Sequence, residues 1–390
     1  MFAVRGRKLA MAMVPLAVIT ASVVAPVAAS TVQRAPTWRW SKVVSMPGKE
    51  AKYGLGGVSC PSVHLCVSDV LLTGNAKNKT GIYVTTDPAA GGSKWHFVAF
   101  SEAFAGGGTG DDVSCSPAGV HIDCAMVGYQ PLPGHPQESY GGSIFQTGDP
   151  TAPNWGAALV DQSADLGAVS CWANVQCASV DDNANVVTTA GATITSQATL
   201  WPEDVGYSGI WAISCAPFTA GQRNPFCAAV DQNAAHTIAW STDPSSGHWV
   251  VQPIHVPRGF SLWHVACASA GLCVVSETND LESGYARIGV SHGDTAGKTW
   301  VSSFKQFNLF PKDKSAGVTA VTCESAKLCA VAGASSKGGF VSISTNPSSP
   351  SSWHTFMLKK GWAPNEMSCP TSKLCVLVSG DGGVVVGILK

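Results

Sequence analysis

Hydrophobic and polar positions fall into short runs along this chain. Runs rich in β-branched residues, such as Ile82-Tyr83-Val84-Thr85-Thr86 and Val384 to Leu389, are bounded by Gly, Pro, Asp or Asn. That pattern predicts short strands joined by tight turns, with almost no helix. The runs come in a recurring order. A first strand ends in Val-Ser-Cys or a close variant, from Val58-Ser59-Cys60 through Val169-Ser170-Cys171 to Met367-Ser368-Cys369. A tight connection leads to a second strand opening on another cysteine. A Gly/Asp/Asn turn and a third strand follow, and a fourth strand opens near tryptophan (Trp95, Trp155, Trp249, Trp300, Trp353).

Cysteine spacing phases this pattern. The 14 cysteines pair as Cys60/Cys66, Cys115/Cys124, Cys171/Cys177, Cys215/Cys227, Cys267/Cys273, Cys323/Cys329 and Cys369/Cys375. First cysteines follow at intervals of 55, 56, 44, 52, 56 and 46 residues, so one unit recurs seven times. A period near fifty marks a propeller, solenoid or array. Two cysteines flanking a short hairpin connection face each other within reach of a disulfide. One bridge per repeat is therefore expected, worth about 2 kcal/mol each in the chain-entropy model. Zinc is the competing reading, but C-x5-C lacks the short spacing of zinc knuckles, and histidines do not recur beside the pairs.

The chain ends choose among the repeat architectures. Thr37 to Val44 matches the fourth strand of a repeat, while the C-terminal repeat supplies only three. A ring closed by pairing the first strand with the last three accounts for both. The fold expected is an all-β, seven-bladed β-propeller, residues 30–390, with 37–45 as the closing strand of the last blade and one disulfide inside each blade. Residues 1–29 read as a signal peptide: Arg5, Arg7 and Lys8 precede a long apolar stretch, with small residues near Ala29 for cleavage. An uncleaved anchor is the alternative. Export to an oxidising compartment suits the cysteine pattern, so a secreted, extracellular location is expected, without stable membrane insertion after cleavage.

Only 13% of residues are charged and net charge is −1, which offers no electrostatic case for nucleic acid or anionic lipid. Ser291-His292-Gly293-Asp294-Thr295-Ala296-Gly297-Lys298-Thr299-Trp300 resembles the Asp-box turn of BNR-repeat propellers. Ser241 to Trp249, Thr85 to Trp95 and Ser344 to Trp353 are looser copies. Asp-box propellers include sialidases, sortilin-like receptors and photosystem II assembly factors. The resemblance implies the fold and leaves function open, because the box is structural in those families. The sixth copy has Asn346 for Asp, and the third repeat lacks the box.

Function is expected on the loops joining strands two and three and on the channel mouth. The longest such connections are 69–80, 128–143 and 276–285. Three residues before each first cysteine stand Gly57, Asp112, Ala168, Ala212, His264, Ala320 and Glu366. Asp112, His264 and Glu366 are the acid/base candidates if they converge. Tyr129, Tyr140, Trp211, Trp263 and Tyr285 are the ligand-binding candidates. Asp181, Asp231 and Glu277 recur after the second cysteine, where Asx-type turn chemistry accounts for them. Sialidase chemistry would need three clamping arginines. Only Arg39, Arg223, Arg258 and Arg287 lie in the propeller region, and none falls at an equivalent place. No nucleotide fingerprint or serine-hydrolase elbow is present. The reading is a non-catalytic, monomeric propeller that binds a glycan or an extracellular protein, without cofactor or metal. The alternative is a carbohydrate-active enzyme, a polysaccharide lyase or glycoside hydrolase.

Overall fold

The computed structural model describes residues 37–390 apart from 49, 71–80, 101–109, 117–121, 133–134, 163, 174–175, 192, 201–209, 217–223, 232–236, 258, 280–285 and 293–303. The expected signal peptide, Tyr285, Arg223, Arg258 and the Asp294 turn lie outside the described residues.

Seven four-stranded antiparallel sheets form the blades of an all-β propeller. The first, innermost strands are Val58–Ser62, Gly110–Ser116, Leu166–Ala173, Ile210–Ala216, Phe260–Ser269, Gly317–Ser325 and Glu366–Thr371 in blades one to seven. Blade seven is completed from the other end of the chain. Trp38–Trp40 pairs with Gly383–Leu389 in the register Trp38↔Leu389, Arg39↔Ile388 and Trp40↔Gly387. A second short piece, Val44–Ser45, continues along the same strand. Among the described residues no helix is long and apolar enough to cross a membrane.

Each blade carries one disulfide from its first strand to its second, as the spacing predicts. The bridges are Cys60–Cys66, Cys115–Cys124, Cys171–Cys177, Cys215–Cys227, Cys267–Cys273, Cys323–Cys329 and Cys369–Cys375, with Cα–Cα distances of 4.0 to 4.1 Å. The two ends of each bridge differ in setting. Cys66, Cys124, Cys177, Cys227, Cys273, Cys329 and Cys375 stand on second strands and are fully buried in the blade interior. Their partners stand on the innermost strands.

The hydrophobic core is divided among the seams. Among the described residues it falls into seven clusters, each joining two neighbouring blades. The cluster of blades seven and one buries Leu374, Val376 and Val386 against Val58, Tyr83 and Trp95. Trp155 stacks on Phe100 across the first seam, with ring centroids 5.1 Å apart. Each blade thus relies on its neighbours for burial, as in other repeat architectures.

Val-Ser-Cys has a second use near the axis. The serine hydroxyl of one blade accepts the cysteine N–H of the next: Ser59 from Cys115 (2.9 Å), Ser114 from Cys171 (3.0 Å), Ser170 from Cys215 (2.9 Å) and Ser214 from Cys267 (2.9 Å). Ser368 closes the circle by accepting from Cys60 at 3.0 Å. The belt is interrupted on both sides of blade six. Ala266 offers no hydroxyl to Cys323, and Thr322 makes no such bond to Cys369 among the described residues.

The turns between strands three and four share a smaller device. Thr85, Thr147, Ser241 and Ser344 each accept the N–H two residues on, at 3.0 to 3.2 Å. Neither Asp87 nor Asp243 caps its following 3-10 turn with its side chain. In blades one and four the hydroxyl, rather than the carboxylate, fixes the turn; in blade two Asp149 Oδ1 also accepts the Thr151 N–H at 3.0 Å.

Candidate functional site at the channel mouth

Inner strands of all seven blades line a central channel of about 1070 Å³. The first cysteine of every bridge lies on its wall. Cys66, Cys124, Cys177, Cys227, Cys273, Cys329 and Cys375 do not reach the bore, so the bridges staple the wall from behind and contribute no free thiol to the site.

A recurring β-bulge shapes the wall. Pairing with the second strand skips a residue between Gly110 and Asp112, Leu166 and Ala168, Ile210 and Ala212, and Val318 and Ala320, and skips two between Leu262 and Val265. The skipped positions are Asp111, Gly167, Trp211, Thr319, and Trp263 with His264. A bulge twists a strand and re-aims its side chains. Blade seven lacks this bulge and pairs Glu366 with Val378 in register.

Asp112 and Glu366 come together there because blades seven and two both flank blade one. Asp112 bridges two blades: its Oδ1 accepts Val113 N–H at 2.8 Å and its Oδ2 accepts Val169 N–H at 2.9 Å. Burial pushes its pKa up to about 7, against the lowering effect of those two bonds. Glu366 accepts Met367 N–H at 2.9 Å. Burial raises it well above the usual carboxyl range, and the charges of Asp112 and Asp69 raise it further. Between them stands Gly57, whose N–H donates to Asp69 Oδ1. A Cβ on Gly57 would lie 2.6 Å from Asp112 Oδ1 and 3.3 Å from Asp69 Oδ1. The absence of a side chain at Gly57 is what allows Asp112 and Asp69 to approach it so closely.

His264 stands apart on blade five. Burial alone pushes its pKa down to about 4, with no contribution from either carboxylate. Its backbone N–H donates to Ser276 Oγ at 3.0 Å. Trp263 and Tyr129 both line the channel. Tyr140 lies on the third strand of blade two, opposite Pro131, and Trp211 lies at the bulge of blade four. The expected loop 128–143 is largely not a loop. Asp123–Leu132 and His135–Thr147 continue as a paired hairpin, with Tyr129 opposite Gly142.

Three channel-wall carboxyl groups, Asp165, Asp182 and Glu324, are not marked by the repeat pattern of the sequence. Asp165 and Asp182 line the bore from blade three. Burial raises both, and Asp182 raises Asp165 further. The signal available was the repeated acidic pair around the blade-three turn. With Glu324, the lining holds five carboxylates (Asp112, Asp165, Asp182, Glu324 and Glu366) and no lysine or arginine among the described residues. No group of three His, Cys, Asp or Glu among the described residues is arranged to hold a metal ion.

Side chains outside the bore are occupied locally. Asp181 accepts the N–H groups of Asn183 (2.9 Å) and Asn185 (2.7 Å), which is Asx-turn chemistry. Glu277 pairs with Arg287 at 3.0 Å, and the same guanidinium lies 5.0 Å over the Phe260 ring.

The architecture is shared with solved propellers. YCF48 bound to a D1 peptide has 10% identity and a TM-score of 0.60, covering 93% of this chain and 99% of that one. YCF48 from Cyanidioschyzon merolae has 11% identity and a TM-score of 0.61, covering 89% and 98%. The WD40 β-propeller domain of Doa1 has 9% identity and a TM-score of 0.58, covering 91% and 98%. Likeness at these identities shows the seven-bladed fold. No protein-family model matches the chain, and no curated protein matches it.

Proposed function

We propose that the protein is a secreted, non-catalytic interaction propeller that holds a basic segment of an extracellular protein at the channel mouth. The observation that carries this reading is the acidic lining of the bore: five carboxyl groups and no lysine or arginine among the described residues. A lysine or arginine entering the bore would meet Asp112 and Glu366, whose desolvated carboxyl groups gain most from a cation. Trp263 and Tyr129 supply faces for a guanidinium or an apolar stem. Propellers are used as protein platforms, and the solved propeller carrying a D1 peptide is one instance. That instance supports the class of ligand, on fold alone.

The carbohydrate-active alternative gains little from the placement of its candidates. Asp112 and Glu366 already accept backbone N–H groups, and His264 lies on a blade adjacent to neither. The aromatic pair Trp263 and Tyr129 is the one feature that favours a glycan.

The test offers the purified propeller a peptide array graded in charge alongside a polysaccharide panel. Retention of basic peptides, lost in Asp112→Asn/Glu366→Gln, would support the proposal. Retention of glycans lost in Trp263→Ala/Tyr129→Ala would move the ligand to carbohydrate. Shortening of a polysaccharide would overturn the non-catalytic reading.

A further inference from the structure

A net charge of −1 conceals a divided molecule. Residues 101–308, blades two to five, carry 18 Asp and Glu against 5 Lys and Arg. Residues 37–100 and 309–390, blades one, six and seven, carry 15 Lys and Arg against 7 Asp and Glu. Opposite charge in two sectors of one ring gives a field that the net value does not report.

Within the basic sector lies a groove of about 460 Å³ between the outer rims of blades six and seven. One wall is the segment Trp40 to Val43, just after the closing strand. The other is Met357 to Lys359, where the fourth strand of blade six ends. Both walls are held in place. Ser41 N–H donates to Val386 O at 2.8 Å, and its hydroxyl accepts Val386 N–H at 3.0 Å. Leu358 N–H donates to Gly339 O at 2.7 Å. The lining is apolar at Trp40, Val43, Met357 and Leu358, with Lys42 and Lys359 exposed above it and no carboxylate among its residues. Met357 is 43% exposed, high for a large apolar side chain. The Trp40 indole nitrogen is buried without a hydrogen-bond partner.

We propose that this rim groove docks an extended acidic segment of a partner protein, with alternate side chains apolar. The lysines select the charge, and the apolar floor selects a peptide over a polyanion that has no apolar groups. Each wall continues from the outermost strand of its blade, Trp38–Trp40 in blade seven and Trp353–Met357 in blade six, and such sheet edges accept extended chains. A groove already fixed spends little on ordering itself. The site is separate from the channel mouth and takes the opposite charge, so either reading can fail without the other.

The test uses the intact propeller and fluorescence anisotropy with a fluorescein-labelled twelve-residue peptide alternating glutamate and leucine. Saturable binding is expected, weakened at least tenfold in Lys42→Glu/Lys359→Glu and in Met357→Asp. Lys327→Glu/Lys373→Glu, elsewhere in the basic sector, should bind as the parent does. A peptide with serine for leucine should bind at least tenfold more weakly. Near-ultraviolet circular dichroism checks folding, and Lys42→Gln/Lys359→Gln substitutes if the reversed charges disturb it. No saturable binding overturns the proposal. So does equal weakening in the lysine control, which would mean diffuse attraction. Heparin binding that depends on Lys42 and Lys359, without peptide binding, would assign the groove to a polyanion. Salt-sensitive self-association lost in the same variant, again without peptide binding, would assign it to a second copy.

Discussion

Replacing Ser170 by alanine removes one link of the hydroxyl belt and leaves Cys215 N–H without its 2.9 Å acceptor. An orphaned N–H in a dry interior costs about 1–3 kcal/mol. Ser170 is only partly buried, so the cost belongs at the lower end, about 1 kcal/mol. The opposite change is available in the same molecule. Ala266→Ser places a hydroxyl where Cys323 N–H lacks one, and should stabilise by about 0.5–1 kcal/mol. Unfolding entropy of about 2.1 cal/mol/K per residue converts 1 kcal/mol into about 1–2 °C for a chain of this length. Differential scanning calorimetry with all disulfides intact should show Ser170→Ala melting lower and Ala266→Ser higher by that amount. The two sites are two seams apart, so the double variant should show the sum. Parent-like melting of both single variants would refute the idea that the belt contributes to stability. A lower melting temperature for Ala266→Ser would show that the seam of blades five and six is too tight for a hydroxyl.

The remaining predictions concern charge and covalent links. Asp112, raised to about 7, binds a proton in the folded state that the unfolded chain lacks between about pH 4 and 7. Its contribution is therefore full at low pH and lost as pH rises through 7. Chemical denaturation should find at most about 1.4 kcal/mol less stability at pH 8 than at pH 6, a ceiling because Asp112 is partly open to the bore. Asp112→Asn should flatten that difference. His264 acts in the opposite sense: lowered to about 4, it is neutral when folded, and its contribution is lost as pH falls from about 6.5 to 4. His264→Asn should therefore reveal a continued gain in stability toward pH 4 that the parent lacks. Gly57→Ala should displace Asp112, since the new Cβ would lie 2.6 Å from its Oδ1; weakened retention of basic peptides would report it. Among the bridges, Cys215/Cys227 spans 12 residues and Cys267/Cys273 spans 6. Replacing the first pair by serine should cost about 3 kcal/mol and the second about 2 kcal/mol, read from denaturant midpoints.

The blade count, the strand order and the ring closure are local or additive features, and the sequence carries them openly. Cysteine spacing sets the repeat, and the unmatched strands at the two ends point to each other. The site was less legible because it depends on which blades are neighbours. Asp112 and Glu366 lie far apart in sequence yet flank Gly57, which follows from closure once the blades are numbered around the ring. His264 shares their repeat position, and its blade number alone separates it from both. The bulge of the inner strands leaves no composition signal, because the skipped positions Asp111, Gly167, Trp211 and Thr319 have nothing chemical in common. Blade two misled for another reason. Gly141, Gly142 and the prolines around 131–136 read as a loop, while the tertiary setting extends them as a hairpin. Gly142 has its Cβ direction blocked at 2.6 Å by Ala164 O, so glycine there serves close packing rather than a turn. Charge partition was hidden by cancellation.

The closing strand has a consequence for biogenesis. Trp38–Trp40 is synthesised before any blade, yet its pairing partner Gly383–Leu389 is the last strand made. The earliest part of the sheet structure must therefore wait, unpaired, until the whole chain is present. Each bridge, by contrast, joins cysteines no more than 12 residues apart, so oxidation can proceed blade by blade in order of emergence. A chain halted anywhere short of its end would then hold correctly oxidised blades and an open ring, with two aromatic residues of the latch still exposed.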